Sequence, residues 1–292
     1  MSFIGASRLS VERLTIAIKD LPPVLSGTKI IHLTDIHYDG LRIPEKLLSR
    51  TIEYSNQEEP DIIFLTGDYI TDDPTPIHDL VLRLKNLQSK KGIYACLGNH
   101  DIYYHNAREI VTQALTRIGI KVLWNAIAFP FGDELPIVGL ADFWSREFKP
   151  ESVFSQLNPN TPRIVLSHQP DTAKILQKWR VDLQLSGHTH GGQMVIPGFG
   201  AAATLIHRLR RHTHPKLHFL IPFLKKSSCV AKNWEWALGL HQIDDNLMYI
   251  NRGLGTYFPG RFFCPPELTI ITLEPKNNQK KEVQVSSLKR QI

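Results

Sequence analysis

Five short apolar runs in this chain each end in a polar cluster rich in side chains that bind metal ions. They are KIIHLTDIH (29–37), DIIFLTGD (61–68), GIYACLGNHD (92–101), RIVLSHQPD (163–171) and VDLQLSGHTH (181–190). Together they offer Asp35 and His37, Asp68, Asn99, His168, and His188 with His190. Carboxylate, imidazole and amide oxygen suit a borderline divalent ion such as Mn²⁺, Fe²⁺ or Zn²⁺. No cysteine lies among these seven, which argues against a structural zinc site. In DIH and HTH the two donors are alternate residues, so an extended segment presents both on one face. Seven donors are too many for one tetrahedral ion and suit two ions that share a carboxylate. A lone histidine beside a strand is usually a hydrogen-bonded structural residue, and a single Gly-Asp is usually a turn. Five such ends in one chain are different, because strand ends in an open α/β sheet converge on one crevice.

Each run is rich in β-branched and aliphatic residues and reads as a buried strand followed by a loop that carries the chemistry. Between them, IPEKLLSRTIEYSNQ (43–57) opens near a proline, and NAREIVTQALTRIGI (106–120) has apolar residues at 3–4 spacing, so both read as helices. Strand, loop and helix alternate, which is the pattern of an α/β fold. SVERLTIAIKDLP (10–22) reads as an extra strand ahead of the first run, and NLMYINRGLG (246–255) and PELTIITLEP (266–275) as closing strands. The expected organisation is one domain over residues 1–275, a basic and hydrophobic insert at about 199–226, and a basic, mobile tail over 276–292.

At 292 residues, 42% hydrophobic and 21% charged, the chain can bury a sizeable core. No stretch has the roughly 18 uncharged apolar residues of a membrane span, and the first ten residues lack the pattern of a secretory signal. Cys96, Cys229 and Cys264 are odd in number and far apart, which fits a reducing compartment rather than a disulfide framework. The expectation is a cytoplasmic protein. Its net charge of +6 is concentrated in two places. Six bases and no acid lie between Ala201 and Lys226, and five bases with one acid follow from Lys276, so the remainder is mildly acidic. Such patches are suited to an anionic surface.

The series DxH, GD, GNHD, H and GHxH resembles the calcineurin-like metallophosphoesterase superfamily, in that family's order and over nearly the whole chain. The resemblance implies two mixed β-sheets packed face to face and flanked by helices. It implies Asp35, His37 and His190 on one ion, Asn99, His168 and His188 on the other, and Asp68 bridging both. His100 matches the family's catalytic histidine, and Asp101 the residue that orients it. The cofactors implied are two divalent ions, Mn²⁺ first and Fe²⁺ or Zn²⁺ as alternatives. GHTHGGQ (187–193) and NRGLGTYFPGRFFCPPELTIITL (251–273) resemble a bacterial membrane-associated phosphodiesterase branch that includes hydrolases of UDP-2,3-diacylglucosamine in lipid A synthesis.

These features lead to a phosphodiesterase or pyrophosphatase acting on a lipid-linked nucleotide at the inner face of the cytoplasmic membrane. The alternative is a soluble phosphodiesterase of nucleotides or nucleic acid, and behind it a non-catalytic scaffold. Apolar residues between the bases of 199–226 suit a lipid interface better than a nucleic-acid backbone, and nothing calls for a protein partner. The insert's histidines, His207, His212, His214 and His218, read as part of its basic face, and Trp234 and Trp236 as packing. GLGTYFPG (253–260) lacks the context of a dinucleotide fingerprint. Arg252 and Arg261, which flank it, are candidate forks for a substrate phosphate, with a structural salt bridge as the other reading.

Overall fold

The computed structural model describes residues 8–213 and 231–276. The first half of the chain runs β1 (Ser10–Ile18), β2 (Lys29–Leu33), α1 (Glu45–Gln57), β3 (Ile62–Thr66), α2 (Ile77–Leu84), β4 (Ile93–Cys96), α3 (His100–Tyr103) and α4 (Ala107–Arg117). Short strands follow, β5 (Lys121–Val122), β6 (Ala126–Ala128), β7 (Pro130–Asp133) and β8 (Ile137–Gly139), then α5 (Pro150–Phe154), β9 (Ile164–Leu166), α6 (Ala173–Leu176) and β10 (Leu183–Ser186). The described chain closes with β11 (Val195–Ile196), β12 (Gly200–Ala201), α7 (Ala202–His212), β13 (Gly239–Ile243), β14 (Asn246–Ile250) and β15 (Glu267–Pro275).

Two six-stranded mixed sheets result, in the orders β1-β15-β2-β3-β4-β5 and β13-β14-β10-β9-β8-β6. In the first, β2, β3 and β4 are mutually parallel, and in the second so are β8, β9, β10 and β14. Residues of parallel strands are covered on both faces, and β3 (IIFLT) is accordingly buried at every position. Alternation along the strands divides their side chains between two cores. Ile30, Ile62, Phe64, Tyr94 and Cys96 face Ile164, Leu166, Leu183 and Leu185 across the gap between the sheets. Ile31, Leu33, Ile63, Leu65 and Ala95 point the other way and pack beneath Leu48 and Ile52 of α1, Leu80 and Leu84 of α2, and Val111 and Leu115 of α4. Beyond the second sheet, Val138 and Val165 meet Phe154, Leu176 and Val181. The layers are therefore helix, sheet, sheet, helix.

Within α1 the buried positions Leu47, Leu48, Thr51, Ile52 and Ser55 form one stripe. The two hydroxyls in that stripe stay satisfied by donating to the carbonyls of Leu47 and Thr51, each 2.8 Å away. The basic and hydrophobic stretch is described only to residue 213. Its described part is the β11–β12 hairpin and α7, whose last turn carries Arg210, Arg211 and His212, the sign that suits a helix C-terminus. His214, His218, the lysines of that stretch and the tail from residue 277 lie outside the described residues. His207 and His212 lie on α7, and among the described residues no cluster of three metal-ligating groups forms there.

Phe64 sits between the sheets, fully buried, with its ring 6.5 Å from that of Tyr94. Phe64→Ala is expected to cost about 3–5 kcal/mol, the usual range for emptying such a site. Urea unfolding checks it: a loss under about 1 kcal/mol would mean that the inter-sheet core does not hold the layers together.

Candidate metal centre

The C-terminal ends of β2, β3, β4, β9 and β10 open on the same edge of the two sheets, and the seven candidate donors meet there. Asp35, His37 and His190 form one fully buried group, and Asp68, His168 and His188 a second, the donor atoms of each group lying within 4.8 Å of one another. Asp68 lies between the two. Its Oδ2 is 3.0 Å from His168 Nε2 and 3.6 Å from His37 Nε2. Asn99 lines the same cavity as Asp68, His188 and His190, and its Oδ1 is buried with no donor in reach.

Close approach of the loops requires two glycines. A Cβ on Gly98 would collide with the Asp68 carboxylate, and one on Gly187 with that of Asp35. Five of the seven donors, Asp35, His37, Asp68, His188 and His190, also have φ between 48° and 70°. A left-handed conformation costs a non-glycine residue about 1–2 kcal/mol, so surrounding contacts must hold each one. Hydrogen bonds do so: Asp35 N–H donates to Gly67 O (2.9 Å), His37 N–H to Asp68 O (3.0 Å), Asp68 N–H to Asp101 Oδ2 (2.7 Å) and His188 N–H to Asp35 Oδ1 (3.0 Å), and His190 O accepts from Arg261 Nη1 (3.4 Å).

The nitrogen geometry calls for a cation. His168 Nδ1 lies 2.7 Å from Thr66 O and His190 Nδ1 3.3 Å from Gly255 O, and each ring turns its Nε2 toward the centre. His37 Nδ1 meets the Tyr257 hydroxyl at 3.1 Å, which turns its Nε2 inward too. His37 Nε2 and His190 Nε2 then face each other at 3.1 Å, and His188 Nδ1 and His168 Nε2 at 3.2 Å. About 3 Å is also the separation of neighbouring ligands on an ion with bonds near 2.0–2.1 Å. Burial pushes the pKa of His37 down to about 3 and that of His190 well below the usual histidine value, so both are neutral imidazoles. Burial would also lower His168, but the Asp68 carboxylate overcomes it and raises it to about 10. Asp68, though buried, is held below the usual carboxylate range by His168, His100 and His37. Positive charge is thus demanded beside Asp68, and the donors present fit divalent ions.

His100 stands at the rim of this group. Its backbone N–H donates to Asp68 Oδ1 (2.9 Å), and its Nδ1 donates to the carbonyl of Thr71 (2.6 Å), which leaves Nε2 facing the cavity. Asp101, expected to orient His100, does not touch its imidazole. Its Oδ2 accepts from the backbone N–H of Asp68 (2.7 Å) and Gly98 (2.8 Å), and its Oδ1 from that of Tyr69 (2.9 Å). Successive residues of a helix point about 100° apart, so His100 and Asp101 on α3 look in different directions. Asp101 clasps the loop of Asp68 to the loop of Asn99.

Neither flanking arginine is a phosphate fork. Arg252 is buried against Glu267 (Nε to Oε2, 2.6 Å) and Glu12 (Nη2 to Oε1, 2.5 Å), a pair from β15 and β1. Arg261 is almost wholly buried and donates to the carbonyls of Arg252 (2.8 Å), Gly253 (3.1 Å) and Gly255 (2.6 Å), which holds the 252–256 loop against His190. That loop delivers Tyr257, a residue the motif reading passed over. Its hydroxyl lies 3.1 Å from His37 Nδ1 and 3.5 Å from His100 Nε2, and the Arg42 guanidinium covers its ring at 4.5 Å. Burial, with the charge of Asp68, raises its pKa, so it is a neutral phenol. Trp144, also missed, packs edge-on against the His188 ring with centroids 5.1 Å apart. Trp234 is buried beside α7, as packing would have it, and lines the cavity as well.

Asp101→Ala leaves the buried N–H groups of Asp68, Tyr69, Ile70 and Gly98 without this acceptor, each worth about 1–3 kcal/mol. The expected result is a loss of at least about 3 kcal/mol in urea unfolding, with metal retention falling alongside. Native stability and metal content with only a shifted pH profile of turnover would restore the orienting role.

Comparison with known proteins agrees with this geometry. The family model for calcineurin-like phosphoesterase matches residues 28–192, the span that holds all seven donors and His100. UDP-2,3-diacylglucosamine pyrophosphatase LpxG of Chlamydia muridarum is 28% identical, over 85% of this chain and 84% of its own length. Phosphodiesterase YaeI of Escherichia coli K12 is 30% identical over 84% of this chain and 82% of its own. The uncharacterized metallophosphoesterase YkuE of Bacillus subtilis is also 30% identical, over 88% and 82%. The chain belongs to the calcineurin-like phosphoesterase family and is a metal-dependent phosphoester hydrolase.

Proposed function

We propose that this protein hydrolyses a phosphodiester or pyrophosphate bond in a lipid-linked nucleotide such as UDP-2,3-diacylglucosamine, working with two Mn²⁺ ions at the inner face of the cytoplasmic membrane. The observation that carries the chemistry is the convergence of Asp68, Asn99, His100, His188, His190 and Tyr257 on one cavity of about 450 Å³. Asp35, His37 and His190 would hold one ion, Asn99, His168 and His188 the other, and Asp68 both. Ions held there supply Lewis acidity, lowering the pKa of water toward neutrality and offsetting phosphoryl charge. The chain's own part is positioning and proton transfer. With Nδ1 fixed on Thr71, His100 presents Nε2 to the leaving oxygen as general acid, a contribution of about 10²–10⁴-fold. The Tyr257 hydroxyl, between His37 and His100, is placed to bind a phosphoryl oxygen.

Support for a lipid-linked substrate comes from the relatives named as UDP-2,3-diacylglucosamine pyrophosphatases and from the surface around the cavity. Gln193 and Tyr257 line the cavity, and the bare side chains of Met194, Ile196, Phe199, Phe258, Phe262 and Phe263 stand beside them in sequence. Met194 is bridged to Phe262, which joins the hairpin and the 258–263 loop into one surface. Phe258 is 84% and Phe199 72% exposed, an uncommon arrangement unless something apolar covers them. α7, with Arg208, Arg210 and Arg211, follows the hairpin directly, and such bases favour anionic headgroups. No helix of the described residues is long and apolar enough to cross a membrane.

Mn²⁺-supported hydrolysis of UDP-2,3-diacylglucosamine in mixed micelles tests this reading, with release of UMP as the readout. The expected result is UMP release by the native protein and none by Asp35→Ala. His100→Ala is expected to keep its metal and lose about 10²–10⁴-fold in kcat. Brisk cleavage of a small phosphodiester with no release of UMP would keep the chemistry and overturn the lipid substrate.

A further inference from the structure

A second cavity, of about 750 Å³, opens beside the metal centre. Asn99, His100 and Trp144 line both, so the two are continuous across the rim where His100 stands. Aromatic side chains dominate its walls: Tyr103 and Tyr104 from the end of α3, Trp124 after β5, and Trp144. Tyr103 is 82% and Trp144 52% exposed, and neither belongs to a core cluster. Bare aromatic faces gathered in a concavity are the usual lining of a ligand site rather than of free surface.

Charge decides what kind of group would enter. Arg108, the cation of the lining, is already committed. It donates to Glu147 Oε1 (2.7 Å) and Glu109 Oε1 (3.0 Å) and lies 5.4 Å above the Trp124 ring. Trp124 Nε1 donates to the other oxygen of Glu147 at 2.7 Å. With Asp72 the lining holds three carboxylates and one paired guanidinium, which repels a second phosphate. A neutral flat ring meets no such penalty: it stacks on the aromatic faces, while the carboxylates and Asn106 at the rim accept and donate hydrogen bonds at its edge.

We propose that this cleft binds the base of a nucleoside phosphate whose phosphorus occupies the adjoining metal centre. The proposal rests on the reading of that centre as a phosphoesterase site. It assigns Tyr103 and Tyr104 as stacking residues and Trp144 as the wall shared by base and phosphate.

The test uses the full chain loaded with Mn²⁺ and three competitors of bis(p-nitrophenyl) phosphate hydrolysis: inorganic phosphate, hexyl phosphate and uridine 5′-monophosphate. The expected order has the nucleotide at least about tenfold tighter than both others, the gain that stacking of one base gives. Tyr103→Ala and Tyr104→Ala should each lower the nucleotide-to-phosphate ratio at least about threefold, and Tyr103→Phe should keep it. Hexyl phosphate matching the nucleotide would overturn the proposal in favour of an acyl slot, as would a ratio that neither alanine variant moves. Calorimetric titration of the same three ligands yields that ratio without turnover. Absence of hydrolysis would therefore count against the phosphoesterase reading, while the ratio still decides the fate of the cleft.

Discussion

Asp68 is a fully buried carboxylate with imidazoles from both sheets around it, 3.0 Å from His168 and 3.6 Å from His37. A carboxylate taken out of water must be matched by positive charge or it neutralises. The described residues around it offer lone pairs and further oxygens: His37 and His190 are held neutral by burial, and Asn99 Oδ1 has no donor. Only His168 meets the demand, by taking a proton against its burial. A pair of divalent ions would resolve all of these conflicts at once. Much of the surrounding structure can be understood as what holds the conflicting groups in place.

That support comes from three sources. Parallel strands buried on both faces bring five chain reversals to one edge, and the core between the sheets keeps the two halves of the centre in register. The left-handed backbone at five donors is restrained by hydrogen bonds between neighbouring loops. Beneath the loops, Asp101 and Arg261 act as opposite clasps. The carboxylate gathers N–H groups of the β3 and β4 loops, and the guanidinium gathers carbonyls of the 252–256 loop. Both groups are buried without a direct role in the cavity, and each satisfies backbone groups that tight loops leave unpaired.

Much of this was legible in the sequence because the chemistry sits at strand ends, where a run of apolar residues followed by a polar cluster marks both the strand and the site. The helix at 106–120 was legible through the 3–4 spacing of its apolar residues, and that at 43–57 through the proline near its start. What was not legible depends on contacts between residues far apart in the chain. The Arg252 partner Glu12 lies on β1, 240 positions earlier, so a salt bridge and a phosphate fork looked alike. The family resemblance paired Asp101 with His100, and the turn of α3 separates them. Tyr257 and Trp144 arrive from loops, and Tyr103 from the last position of a four-residue helix, none with a periodic signal, although they line the cavities in which substrate would lie. The surface around Phe199, Phe258 and Phe262 was hidden in the same way, since a hairpin and a distant loop combine to form it.

Counting bound metal decides whether Asp68 holds two ions. The native protein, saturated with Mn²⁺ and passed through a desalting column, should retain two equivalents per chain by elemental analysis. Asp68→Asn, which keeps the shape and removes the charge, should retain fewer than one. Two equivalents in both proteins, or one at most in the native chain, would contradict the account.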